Sequence, residues 1–177
     1  MKRLLVIATL VLTTSALGCT ATSSGGDSPA GGTFQSQAAD SRSQLAVTTL
    51  AGDTFDPATT VGRPVILWFW APWCTICRAE APDVSVVAAE LVESGSPVTV
   101  LGVPGRGLVP EMEDFVEDTG TGGLTHRVDV EGVLWREYDI ITQPAFALLS
   151  PDGGVEVING ALGADGLRKA AARMAEG

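Results

Sequence analysis

The chain has 177 residues, 45% of them hydrophobic, enough for one compact domain with a core and too little for two ordinary ones. Its 21 acidic and 11 basic residues give a formal charge of -10, and no Lys/Arg cluster occurs beyond the extreme N-terminus, which excludes a nucleic-acid footprint. Three cysteines, Cys19, Cys74 and Cys77, are too few for a scaffold stapled by several disulfides, so the core must carry the fold.

In chain order, Lys2 and Arg3 precede an apolar run over 4–12 and a more polar stretch ending Ala16-Leu17-Gly18-Cys19. That order predicts an export signal over 1–18, its apolar run shorter than the ~20 residues of a spanning helix. Gly18-Cys19 resembles a bacterial lipobox, with Ala16 where Leu is usual and Leu17 where a small residue is usual. The resemblance implies cleavage before Cys19 and a lipid-modified N-terminus that anchors the protein to the outer face of the cell membrane. Plain cleavage to a freely secreted protein, or an uncleaved anchor, are the alternatives. Residues 20–44 are mainly Ser, Gly, Ala, Thr and Gln, with one Pro and with Phe34 as the one large apolar side chain, a composition that cannot repay its ordering entropy. They predict a flexible tether with a reach of about 25 to 30 Å.

Patterning turns globular over 45–177. Residues 45–50 and 51–55 predict a short strand pair around a Gly-Asp turn, an N-terminal extension of the sheet. The run Val65-Ile66-Leu67-Trp68-Phe69-Trp70, without alternation, predicts a central strand covered on both faces. A helix follows over about 74–94, stopped by Gly95 and kinked at Pro82, with Val84, Val87, Ala88, Leu91 and Val92 as its buried stripe. Then come a buried strand at 98–103, a helix at 110–119 presenting Met112, Phe115, Val116 and Thr119 on one face, a strand at 126–130 and a helical piece at 131–138. Ser150-Pro151-Asp152-Gly153-Gly154 predicts a hairpin joining strands at 146–149 and 155–158, and the last helix covers 165–175 with Leu167, Ala170, Ala171 and Met174 inward. The fold class is therefore α/β, a central mixed β-sheet flanked by helices.

A Cys-X-X-Cys pair at the start of a helix sets its first sulfur over unpaired backbone N–H groups, where the helix dipole favours the thiolate. Cys74 is the expected attacking sulfur, with a depressed pKa, and Cys77 the resolving one. Other readings remain: part of a zinc site, for which ligands are short because His126 is the only histidine; copper held by both thiolates and His126; or an inert disulfide, which constrains little across so short a loop.

The segment Phe69-Trp70-Ala71-Pro72-Trp73-Cys74-Thr75-Ile76-Cys77-Arg78-Ala79-Glu80-Ala81-Pro82, with Thr142-Gln143-Pro144-Ala145-Phe146 and the Ser150-Pro151-Asp152-Gly153 turn, resembles the TlpA/ResA/DsbE-like branch of the thioredoxin superfamily. It is most similar there to the secreted DsbE/DsbF-type oxidoreductases of actinobacteria. The resemblance implies a thioredoxin-like fold, a redox-active Cys74–Cys77 disulfide with no other cofactor and no metal, and catalytic residues Cys74, Cys77 and Glu80. Glu80 is the implied proton acceptor for Cys77; a helix-surface Glu favoured by the dipole alone is the alternative. Trp73, Gln143 and Pro144 are the implied substrate-binding residues, Pro144 following a cis bond and Trp73 covering the disulfide. Trp68 and Trp70 are expected in the core. Implied partners are exported proteins with free thiols or disulfides and a membrane redox partner for recycling. Export and the actinobacterial likeness favour an oxidase; the general TlpA/ResA likeness favours a reductase acting on apocytochrome c or other exported thiols. Peroxidase chemistry is disfavoured, because Ala71 stands where peroxiredoxins carry Thr.

Overall fold

The computed structural model describes residues 48–176. The expected export signal, Cys19, the tether over 19–44 and the first residues of the N-terminal strand lie outside the described residues.

Strand β1 (Val65–Trp70) forms where the sequence is a continuous run of β-branched and aromatic residues, and every one of its side chains is buried. Helix α1 (Thr75–Glu93) leads to β2 (Thr99–Pro104), which lies parallel to β1 with Trp68 beside Gly102. Helix α2 (Val109–Thr119) leads to β3 (Thr125–His126), parallel to β2, and α3 (Val133–Glu137) follows. Strands β4 (Ala145–Leu149) and β5 (Val155–Asn159) form the hairpin, β4 antiparallel to β1, and α4 (Gly163–Glu176) closes the domain. The sheet order is β3-β2-β1-β4-β5.

Alternation along β1 divides the core. Ile66, Trp68 and Trp70 face α1, α2 and α4 with Val84, Val87, Met112, Phe115 and Leu167; Val65, Leu67 and Phe69 face Leu134, Trp135 and Tyr138. Trp70 stacks on Phe115 at 4.0 Å between ring centroids, and Phe69 meets Trp135 edge-on at 5.7 Å. Helix α1 continues through Pro82 and ends in paired backbone bonds, Ser96 N–H to Leu91 O at 2.9 Å and Gly95 N–H to Val92 O at 3.1 Å, around Gly95 at φ 68°.

Two expectations are corrected. Val92 is 82% exposed: eight residues beyond Val84 it sits about 80° round the helix from the stripe centre. The strand expected at 126–130 is regular only over Thr125–His126. Beyond it Asp129 turns its carboxylate onto the Val133 and Trp135 N–H groups at 2.8 and 3.0 Å, so the chain enters α3 instead of extending. The N-terminal strand pair is represented among the described residues by two isolated antiparallel bridges, Thr48 to Thr54 and Thr49 to Arg127. The turn between them is closed by Thr49 N–H to Asp53 O at 2.8 Å.

Gly102 marks where β2 and β3 approach most closely, since a Cβ there would overlap the His126 ring. Gly102→Ala is expected to cost about 1 to 3 kcal/mol, seen as a lower denaturant midpoint at unchanged slope.

Candidate active site

The chain turns out of β1 through Ala71-Pro72-Trp73, and the Cys74 N–H closes that turn onto Ala71 O at 3.1 Å. Cys74 caps α1 in an extended conformation, and its Sγ accepts the Cys77 N–H at 3.1 Å. The two cysteines form a disulfide, with Cα atoms 5.3 Å apart. Cys74 keeps 5% of its surface exposed while Cys77 keeps none, so only the first sulfur can be approached from solvent. Arg78 holds this turn against α2: its Nε donates to Pro72 O at 3.2 Å, its Nη1 to Asp118 at 3.0 Å, and its guanidinium lies 4.9 Å over the Phe115 ring.

The facing wall is the loop entering β4. The Gln143–Pro144 peptide is cis, Pro144 is buried, and the Gln143 carbonyl oxygen lies 4.0 Å from Cys74 Sγ. Trp73, Ile76 and Ile141 are 60%, 58% and 69% exposed. Trp73 and Ile76 flank Cys74 in the chain, and Ile141 lies in the facing loop, so the exposed surface of these two segments is largely apolar. The Trp73 indole N–H donates to Arg106 O at 2.7 Å, which holds the ring on the rim.

Glu80 is not on the helix surface; it is buried beside the core. Its Oε1 accepts the Leu162 N–H at 2.6 Å and the Gly163 N–H at 3.3 Å, and Asp83 accepts the Ala164 N–H at 3.2 Å. Two carboxylates of α1 thus satisfy the free N–H groups at the start of α4. Glu80 Oε2 and the Trp68 indole nitrogen are both buried, and the Trp68 indole is the side-chain donor that faces the carboxyl. Burial pushes the Glu80 carboxyl above the ordinary range, and the hydrogen bonds from the Leu162 and Gly163 N–H groups and the Trp68 indole oppose this only in part.

A carboxyl raised in the folded state contributes stability that is present below its unfolded pKa and lost as pH rises through the folded one. Glu80→Gln is therefore expected to flatten the fall in melting temperature between acid and neutral pH. Parallel wild-type and variant curves across that window would contradict the assignment.

His126 does not join the sulfurs. Its Nε2 donates to Thr121 O at 2.9 Å, its ring packs edge-on to Trp70 at 5.5 Å, and burial lowers its pKa so that it stays neutral. Among the described residues no three His, Cys, Asp or Glu side chains group as a metal site.

Arg106, which sequence reasoning passed over, lies at the centre of the rim. At φ 55°, its Nη1 donates to Ile141 O at 3.2 Å and Gln143 Oε1 at 2.8 Å, its Nη2 to Ile140 O at 3.1 Å, and its guanidinium lies 4.4 Å over Trp135. The visible signal is the Gly105-Arg106-Gly107 run. A Cβ on Gly105 would strike Trp135, and one on Gly107 would strike Pro72.

A helix-capping disulfide with one approachable sulfur, on a sheet of this order, makes the protein a thiol-disulfide oxidoreductase of thioredoxin-like fold, and comparison with known proteins agrees. The chain belongs to the AhpC/TSA family, whose model matches residues 36–158. It is 42% identical over 122 residues to the soluble secreted antigen MPT53 of Mycobacterium tuberculosis, covering 69% of this chain and 68% of that protein. It is 32% identical over 108 residues to the thiol-disulfide oxidoreductase ResA of Oceanobacillus iheyensis, covering 60% of this chain and 54% of that one. Among solved structures, MTB DsbF superposes with a TM-score of 0.69 at 36% identity, covering 76% of this chain and 97% of that one. A secreted Mycobacterium tuberculosis disulfide oxidoreductase homologous to E. coli DsbE superposes with a TM-score of 0.67 at 39% identity, covering 76% and 98%.

Proposed function

We propose that the domain works outside the cytoplasm as an oxidase that donates its Cys74–Cys77 disulfide to exported proteins, tethered to the membrane through a lipid on Cys19. The observation that carries thiol-disulfide exchange is the seat of Cys74 Sγ at the N-terminus of α1, accepting the Cys77 N–H; the direction rests on the likeness to proteins described as secreted, which implies delivery into an oxidising compartment. The helix dipole and that N–H favour the Cys74 thiolate, which makes this sulfur the one that is attacked and that departs. Likeness to proteins described as secreted supports the compartment. Among the described residues no helix is long and apolar enough to cross a membrane.

A substrate thiolate attacks Cys74 Sγ, and the bond to Cys77 breaks, leaving Cys77 as a thiolate that takes up a proton. A second substrate thiolate then attacks the substrate sulfur of the mixed disulfide, and Cys74 departs as the stabilised thiolate. The substrate loses two electrons and two protons, and the enzyme dithiol holds the electrons until a membrane redox partner removes them. Trp73, Gln143 and Pro144 line the groove that holds the extended substrate segment. Glu80 is the candidate to take and return the Cys77 proton, since the two are buried on α1 three residues apart.

The test is refolding of a reduced multi-cysteine protein by the purified oxidised domain. The oxidase assignment expects stoichiometric disulfide formation followed by turnover with oxidised glutathione. Failure to oxidise the substrate, together with efficient reduction of disulfides, would favour a reductase of exported thiols, the second reading, which rests on the likeness to ResA.

A further inference from the structure

We infer that Arg106 is the positioning residue that holds the two walls of the substrate groove at a fixed separation, and so makes the enzyme efficient toward extended peptide thiols. This rests on the groove formed by Trp73, Gln143 and Pro144 proposed above.

The walls come from distant parts of the chain, the Cys74 turn and the loop entering β4; the β1–β4 ladder joins them only as far as Phe69 and Ala145, and beyond that pair the chain leaves the sheet on both sides. Arg106 binds both. Its main-chain oxygen takes the Trp73 indole N–H, and its guanidinium donates to Ile140 O, Ile141 O and Gln143 Oε1. A planar guanidinium can satisfy such spread acceptors while stacking on an aromatic ring, as it does on Trp135; a lysine cannot. All its side-chain acceptors are neutral, and among the described residues no carboxylate pairs with it. An exposed arginine tied to loop carbonyls adds little to global stability and much to loop geometry.

The backbone agrees. Arg106 occupies the left-handed region at φ 55°, where a residue with a long side chain is uncommon and glycine costs least. The neighbours are glycines because Trp135 and Pro72 leave no room for a Cβ. A strained, close-packed loop that keeps an arginine between two glycines points to a use for that side chain.

The test compares two reductants of the oxidised enzyme. One is a short unstructured peptide carrying two cysteines, with oxidised glutathione as terminal oxidant; the other is dithiothreitol, too small to span the groove. Arg106→Asn is the variant of choice, because Asn tolerates the left-handed backbone and removes the guanidinium alone. The expected result is a peptide KM raised about tenfold, roughly 1.4 kcal/mol, with kcat and the dithiothreitol rate within about twofold of wild type. Gln143→Ala on the Arg106→Asn background is expected to add less than it does alone, because both remove one link. An unchanged peptide KM, or an equal fall in the peptide and dithiothreitol rates, overturns the assignment. If Trp73→Ala and Gln143→Ala also leave the peptide KM unchanged, the groove itself is misplaced, a failure distinguishable from that of Arg106.

Discussion

Cys77→Ser is expected to abolish turnover, by at least about a thousandfold, while accumulating a mixed disulfide between Cys74 and substrate. Only Cys74 can be approached from solvent, so every intermolecular bond must pass through its sulfur; Cys77 serves to release it. With serine at 77 the Cys74 thiolate still attacks a substrate disulfide, but nothing within the enzyme resolves the adduct. Intact mass under non-reducing conditions reads the outcome directly. Cys74→Ser is expected to show no adduct and no activity. Adduct formation by Cys74→Ser but not by Cys77→Ser would reverse the roles of the two sulfurs.

The largest expected loss of stability comes from Trp70→Ala. Trp70 is fully buried, stacks on Phe115 at 4.0 Å and meets the edge of His126, so it joins the end of β1 to α2 and β3 directly beneath the Cys74 turn. Removing it leaves a cavity that close-packed neighbours cannot fill, at a cost of about 3 to 5 kcal/mol. Melting should fall by roughly 10 to 20 °C. Trp73→Ala, three positions on, supplies the contrast: that ring is 60% exposed, and its loss is expected to change stability by about 0.5 kcal/mol or less. A large melting loss for Trp73→Ala, or a small one for Trp70→Ala, would mean that core and rim have been misassigned.

Much of this was visible in the amino-acid order, for identifiable reasons. The run from Val65 to Trp70 has no polar residue to alternate with, so burial on both faces was the only arrangement open to it. The Cys-X-X-Cys pair was legible because its chemistry depends on local spacing and on the helix start, both set within a few residues. What sequence could not show depends on long-range partners. Glu80 kept a helix-surface alternative, because its burial is decided by the start of α4 more than eighty positions later. Asp129 looked like part of a strand until its side chain was seen to cap α3. Arg106 carried no periodic signature, and its meaning appears only when the loops on either side of Cys74 are brought to it. His126 invited a metal reading as the only histidine, yet its ring is committed to Thr121 and Trp70.

The reduction potential of the Cys74–Cys77 couple, measured by equilibrating the purified domain with glutathione buffers and counting free thiols, tests the central claim most directly. The oxidase assignment predicts a potential well above thioredoxin's, toward the about -180 mV of protein disulfide isomerase or higher. A potential at or below thioredoxin's, about -270 mV, would contradict the oxidase assignment and make the protein a reductase.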